Sequence, residues 1–381
     1  MAKSKLGIKI PTKNDLLKRY GSTIILASET KETGLWLPST FFALNYTFGG
    51  GIPFGKILEI AGEESSGKSL IAYNFAYSCQ QLGGNVLWVD AEQSWMNSWA
   101  EVNGVDPNKV TVVNDTRIEY VADAVADLAL YWRSQLTHNE PILLVIDSIA
   151  AMDCSDNIDS KMSDAKAEMG GRAKALYKYF RIRNELFYRL GITQIYINQL
   201  RTALNVGFGK DNTTTTGGAA LKFYASIRAA FYSGKSITVK SNGKERKAGK
   251  LVTIRLIKNK VAPPRPTISK CPVYFNPKYH SVGFDRCFGL EDVLVDNEII
   301  TKSSGGVYKL KDKVLARGEE KFQKLLEEDD ELRRKLLRRA DINTIGSVRK
   351  KLESLTENYY PIDGVEYESY SEGSEDDEED E

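Results

Sequence analysis

The residues best equipped for chemistry form one run, Gly62-Glu63-Glu64-Ser65-Ser66-Gly67-Lys68-Ser69. Its spacing, G-x-x-x-x-G-K-[ST], is that of a loop whose backbone N–H groups cradle phosphates. Gly62 and Gly67 permit backbone angles and close approaches that a Cβ obstructs. Lys68 is expected to reach the β- and γ-phosphates of a nucleotide, and the Ser69 hydroxyl to ligate Mg²⁺. The flanks agree. Lys56–Ala61 is an apolar run of strand length, and Leu70, Ala72, Phe75 and Ala76 recur with helical spacing from about Gly67. A strand–loop–helix order puts unsatisfied N–H groups of a helix start at the loop, where they favour anions.

Nucleotide hydrolysis needs more than a phosphate cradle. Ile142–Ile146 followed by Asp147 and Ser148 is an apolar strand ending in a carboxylate. Asp147 there is expected to hold Mg²⁺ through its water shell, beside Ser69. A base must deprotonate the attacking water. Asp90 and Glu92 share a face by the period of two at the end of another apolar strand, Asn85–Asp90, where an open α/β sheet has its ligand crevice. Glu92 is the expected base, and Asp90 a hydrogen-bonding or strand-capping residue. Asn198 and Gln199 end a further strand, with Gln199 placed to touch a γ-phosphate.

Beyond Gln199 the chain is Gly/Thr-rich from Arg201 to Gly218, too poor in apolar residues to bury a core and expected to be mobile until bound. Arg201, Lys210, Thr214, Thr215, Thr216, Gly217 and Gly218 suit contacts to nucleic-acid phosphates, and Phe208 a contact to bases. A plain flexible lid is the alternative. A second candidate loop, 153–172, carries Met169, Gly170, Gly171 and Arg172 ahead of a basic helix with Lys174, Lys178, Arg181 and Arg183.

The elements that must position these groups alternate. Strand patterns at 56–61, 85–90, 109–113, 141–147 and 193–199 are separated by helical ones, including Ile118–Gln135 with Val121, Val125, Leu128 and Trp132 on one face. A β-rich block is expected over 221–274. This order predicts a mostly parallel, helix-covered sheet with antiparallel additions. A short helix and the strand 22–27 precede it, the latter an apolar strand in need of an edge to pair with. Short strands at 299–300 and 307–308 and charged helices follow it.

The 381 residues are 42% hydrophobic and 27% charged, the composition of a soluble globular protein. No apolar stretch is long enough to span a bilayer, and no signal core follows the basic start, so a cytoplasmic location without membrane partners is expected. Cys79, Cys154, Cys271 and Cys287 lack close spacing and read as free thiols in a reducing compartment. Ten carboxylates and no Lys or Arg lie in 366–381, so a net charge of +1 leaves +11 on the remainder. A basic body with an acidic tail suits a polyanion partner for which the tail competes, or a simple solubilising tail.

Together these residues resemble the RecA family of recombinases. The likeness runs through Gly62–Ser69, Val89–Glu92, Ile146–Ser148, Ile197–Arg201, Thr215–Gly218, Ala220–Ser226 and Lys258–Ala262, in family order. It covers about Lys18 to about Ala340. The resemblance implies an α/β, RecA-type phosphate-loop ATPase core (37–284), a short N-terminal helix–strand oligomerisation arm (1–36), a small C-terminal α/β domain (285–345) and a linker with a disordered acidic tail (346–381). It implies ATP and Mg²⁺ as cofactors and filaments of many copies on single-stranded DNA that pair with homologous double-stranded DNA. Mediator or single-strand-binding proteins are further implied partners. By position, the loop through Leu70 holds nucleotide, Lys68, Ser69 and Asp147 serve phosphates and Mg²⁺, Glu92 is the base and Gln199 the γ-phosphate sensor. Lys258 and Lys260 reach the neighbouring subunit's ATP like paired arginine fingers, and Trp99 stands where a ring packs on adenine.

Met96 occupies a position where the family commonly has an adenine-contacting Asp, and Asn276–Arg286 is expanded. A divergent, phage-type member is expected. A hexameric helicase on the same core, or a non-catalytic recombination-accessory filament protein, are the other readings.

Overall fold

The computed structural model describes residues 15, 18–19, 34–159, 170–202, 213–216, 219–241, 243–263, 265, 267–279 and 281–340. The expected strand 22–27 and the acidic tail lie outside them. The chain divides into Met1–Thr33, in which residues 15, 18 and 19 are helical, and Gly34–Glu381, to which everything below refers.

Strand β1 (Trp36–Leu37) pairs antiparallel with β2 (Ile52–Pro53) on either side of the helix Phe42–Phe48. The main sheet takes β3 (Ile57–Gly62), β4 (Asn85–Asp90), β5 (Val110–Val113), β6 (Ile142–Asp147) and β7 (Ile192–Thr202). To these it adds β8 (Thr213–Thr215), β9 (Ile227–Ser241), β10 (Lys244–Asn259), β11 (Ile268–Tyr274) and β12 (Gly283–Phe284). Their order is β12-β11-β10-β9-β3-β7-β6-β4-β5, with β8 paired to β7. Strands β5, β4, β6, β7, β3 and β9 are mutually parallel, whereas β9 to β12 run antiparallel.

The continuous apolar strands have a direct explanation: both sheet faces are covered. Leu58, Ile60, Val86, Trp88, Leu143, Val145, Ile195 and Ile197 face one core, shared with Leu70, Ile71 and Phe75 of the helix Lys68–Gln81. Their alternates Ile57, Leu87, Val89, Leu144, Ile146 and Tyr196 face a second core under the helices Ile118–Gln135 and Gly171–Arg189. A third core fills the C-terminal lobe. There the sheet β13 (Thr301–Lys302), β14 (Val307–Leu310) and β15 (Lys313–Arg317) packs on the helices Leu290–Asp296, Glu319–Glu328 and Asp330–Ala340, with Tyr308 stacked on Phe322 at 4.4 Å.

Several expectations shift. The helix after the phosphate loop is buried on nearly all sides rather than on one, because the loop, sheet and β1 surround it. In Ile118–Gln135 the buried residues include Ala122, Ala126 and Ala129, while Leu128 and Trp132 are half-buried; small side chains let the helix approach the sheet. The helix that follows β4 runs Asn97–Val102. Ala220–Tyr224, expected within a β-rich block, is a helical turn with Leu221 and Ala225 in the second core. A short apolar run does not distinguish the two states. The lobe's first strand is Thr301–Lys302, since Ile300 is spent in the core.

Close backbone approach fixes β4 against β6. A Cβ on Gly84, just ahead of β4, would sit 2.1 Å from the Pro141 carbonyl oxygen. Gly84→Ala is expected to cost about 1–3 kcal/mol, the usual penalty for overpacking, in a urea unfolding titration.

Among the described residues no helix is long and apolar enough to cross a membrane. All four cysteines are buried free thiols.

Candidate nucleotide site and the neighbouring sheet edge

The phosphate loop leaves β3 at Gly62, where a Cβ would stand 2.7 Å from both the Phe231 carbonyl oxygen and Ser66 Oγ. Gly67, with φ +87°, is the N-cap of the helix Lys68–Gln81. Left-handed backbone at this point favours glycine. Glu63 supplies the loop's internal anchor: its carbonyl oxygen accepts from Ser66 Oγ at 2.8 Å and from Lys68 Nζ at 2.6 Å. Its carboxylate accepts from the Ser233 N–H at 3.0 Å. Glu64 and Ser65 are exposed at the tip, and Leu70 is buried in the first core. Burial lowers the Lys68 ammonium pKa, against the pull of Asp147 and Glu92.

Ser69 Oγ donates to Asp147 Oδ2 at 2.7 Å, so the hydroxyl and carboxylate meet at the mouth of the loop. Burial pushes the Asp147 carboxyl up to about 6, opposed by the Ser69 hydrogen bond and reinforced by the charge of Glu92. The Asp147–Ser148 peptide is cis. Asp90 and Asp147 are in register across β4 and β6.

The two carboxylates near the end of β4 part company. Asp90 is buried and accepts from the Ser94 and Trp95 N–H groups, each at 2.9 Å, which folds the chain into a turn. The strand therefore stops before Glu92, and the two do not share a strand face as the period of two predicts. Glu92 is exposed in the turn, its N–H on the Asp147 carbonyl oxygen at 3.3 Å, and its Oε1 accepts from Ser148 Oγ. Ser148 is a group that sequence reasoning left without a role; its only sequence signal is its place after the strand-ending Asp147. Trp99 is half-buried against the first core, which also holds the Tyr73–Trp88–Trp95 aromatic cluster. Met96 is exposed.

Gln199 is in register with Gly62, which sets it beside the loop. Lys258 and Lys260 lie elsewhere. Lys258 is in register with Arg228, and Arg228 with Glu59, three positions before Gly62. At about 3.3 Å per strand residue that is about 10 Å toward the opposite end of the sheet. Lys258 Nζ donates to the Lys222 and Phe223 carbonyl oxygens at 2.9 and 3.0 Å, and the Lys260 N–H to Ser226 at 3.0 Å. One protomer thus does not bring these lysines to its own phosphate loop.

The RecA N-terminal domain family matches residues 12–276. The chain belongs to the RecA family. It is 32% identical to Protein RecA of Saccharopolyspora erythraea over 325 residues, 84% of this chain and 88% of that one. Protein RecA of Corynebacterium urealyticum is 32% identical over 348 residues, 91% and 88% of the two chains. Protein RecA of Mycoplasma mycoides is 36% identical over 254 residues, 67% and 68%.

In this RecA-family chain the residues expected to meet DNA divide into three groups. Met169, Phe208, Lys210, Gly217 and Gly218 lie outside the described residues, as do the side chains of Arg201 and Thr214. The ends of the expected mobile loop are zipped: Leu200, Arg201 and Thr202 pair antiparallel with Thr215, Thr214 and Thr213. Thr215 and Thr216 are buried rather than offered to phosphates: Thr215 pairs with Leu200 of β7, and the Thr216 carbonyl oxygen accepts from Asn198 Nδ2. Gly170 caps the helix Gly171–Arg189 at φ +102°, and Arg172 Nη1 donates to the Ala150 carbonyl oxygen at 3.0 Å, tying the helix start to the segment after Asp147. One turn on, Lys174, Tyr177, Lys178 and Arg181 line a shallow groove of about 440 Å³.

Proposed function

We propose that the protein is an ATP-dependent DNA recombinase that forms a filament on single-stranded DNA and exchanges it with homologous duplex. The observation that carries this reading is strand β7. Gln199 stands in register with the phosphate loop, and two residues later, at Arg201, the chain enters the segment expected to meet DNA. A strand that touches both sites lets nucleotide bias the DNA-binding state, which is a population shift and needs no new contact surface.

The donor set fits Mg·ATP. Among the described residues no group of three or more His, Cys, Asp or Glu could hold a metal by itself. Mg²⁺ in a nucleotide site takes a hydroxyl, a nearby carboxylate, phosphate oxygens and water, and Ser69 with Asp147 supplies the first two. ATP brings the phosphoanhydride to be cleaved, and Mg²⁺ neutralises its charge. Lys68 turns from the Glu63 carbonyl to the β- and γ-phosphates. Glu92, oriented by Ser148, takes the proton of the attacking water. Gln199 senses the γ-phosphate, and Lys258 and Lys260 of an adjacent subunit complete the site.

A strand-exchange assay tests the reading. ATP-dependent joint molecules with homologous but not heterologous duplex are expected; closed rings with robust unwinding in electron micrographs would replace it with a helicase. Deleting 366–381 is expected to raise DNA affinity at low salt, and the difference to fade as salt screens the tail. A salt titration superimposable on that of the full chain would leave the tail no such part.

A further inference from the structure

Four adjacent strands carry a polar row across one sheet face. Asn198 of β7, Glu59 of β3, Arg228 of β9 and Lys258 of β10 follow one another, with Glu59 in register with Arg228 and Arg228 with Lys258. Glu59 is 1% exposed in an otherwise apolar strand. A carboxylate in such a place is tolerated only when paired and hydrogen-bonded. Both conditions hold. Glu59 Oε1 accepts from Asn198 Nδ2 at 3.0 Å, and Oε2 forms an ion pair with Arg228 Nε.

Each end of the row touches something functional in the reading above. Asn198 Nδ2 also donates to the Thr216 carbonyl oxygen at 3.0 Å, directly after the closing strand β8 of the loop. Asn198 Oδ1 accepts the Gln199 N–H at 2.9 Å. At the far end, Lys258 is held on the carbonyls that end the helix Ala220–Tyr224. Arg228 and Lys260 both bear on Lys258 as like charges, and Glu59 is the carboxylate that opposes them. One buried anion therefore balances a cation cluster on one side and fixes the root of the loop on the other.

We propose that Glu59 is a positioning residue that couples the seating of the β7–β8 strand pair, and with it nucleic-acid affinity, to the placement of Lys258 toward a neighbouring subunit's nucleotide. This rests on the recombinase reading. When β8 and Thr216 shift, Asn198 moves against Oε1, and the carboxylate reseats against Arg228. Lys258, wedged between Arg228 and Lys260, then settles differently. Glu59→Gln keeps the shape and an amide oxygen for Asn198 but removes the charge.

The test is reciprocal linkage. The affinity of the full chain for a labelled oligothymidylate is measured by anisotropy with and without a non-hydrolysable ATP analogue, and a fluorescent nucleotide reports the converse. Glu59→Gln is expected to reduce the nucleotide-induced gain in DNA affinity by about fivefold or more, within the usual range of coupling. Each affinity measured without the other ligand is expected to stay within about twofold, since the residue touches neither ligand. An unchanged gain overturns the proposal, and so does a parallel fall of both separate affinities, the mark of a merely structural residue. Should Glu59→Gln fail to fold, Arg228→Lys, which keeps the charge and loses the Nε contact, is read by the same criteria. A parent protein whose DNA affinity ignores nucleotide would sink the recombinase reading itself.

Discussion

Glu92→Gln is expected to lower DNA-stimulated ATP hydrolysis by about 100- to 10,000-fold, the range lost with a general base. ATP binding is expected to survive, because the Lys68–Ser69–Asp147 group does not depend on the Glu92 side chain for its hydrogen bonds. Glutamine keeps an oxygen for Ser148 Oγ, so the turn after Asp90 retains its geometry while the proton acceptor is lost. The check is single-turnover hydrolysis beside a nucleotide-binding titration. A variant that hydrolyses ATP at the parent rate would remove Glu92 from its role. Ser148→Ala gives the smaller companion effect, since it frees the carboxylate without removing it.

The second large effect concerns Lys258 and Lys260. Replacing both with alanine is expected to cost about 1,000-fold or more in hydrolysis, as loss of a cation at a phosphoryl-transfer site does. Their position makes a sharper experiment available. Lys258 lies three strand positions away from its own Gly62 on the far side of Arg228, so a site that uses it must be shared. Lys68→Ala protein and Lys258→Ala/Lys260→Ala protein are each expected to be inactive alone. Mixed, they are expected to recover activity at about a quarter of the interfaces, those where an intact loop meets intact lysines in a head-to-tail assembly. Mixtures no more active than their parts would place catalysis within one subunit. Because Lys258 also holds the end of the helix Ala220–Tyr224, the melting temperature of each variant belongs beside its rate.

Local spacing determined a good deal about this protein. The phosphate loop, the strand ending in Asp147 and the alternation of strands and helices are short-range patterns. They stand in the chain because the left-handed start of the helix Lys68–Gln81 favours glycine and because doubly covered strands are apolar throughout. The likeness of seven separate motifs to one family extended that to fold class, and the sheet follows it. What spacing could not give were distances between residues far apart in sequence. Asp90 and Glu92 look equivalent by period two, yet hydrogen bonds to Ser94 and Trp95 end the strand between them. Thr215 and Thr216 look like exposed hydroxyls until pairing with Leu200 and the hydrogen bond from Asn198 fold them onto β7. Glu59 looks like an anomaly in an apolar strand, and only the register of β3 with β9, and its contact with Asn198 of β7, makes it the centre of a row. The order and register of strands set Lys258 toward the opposite end of the sheet from Gly62. That order is fixed by packing of two cores against a twisted sheet, an arrangement no local stretch of sequence contains.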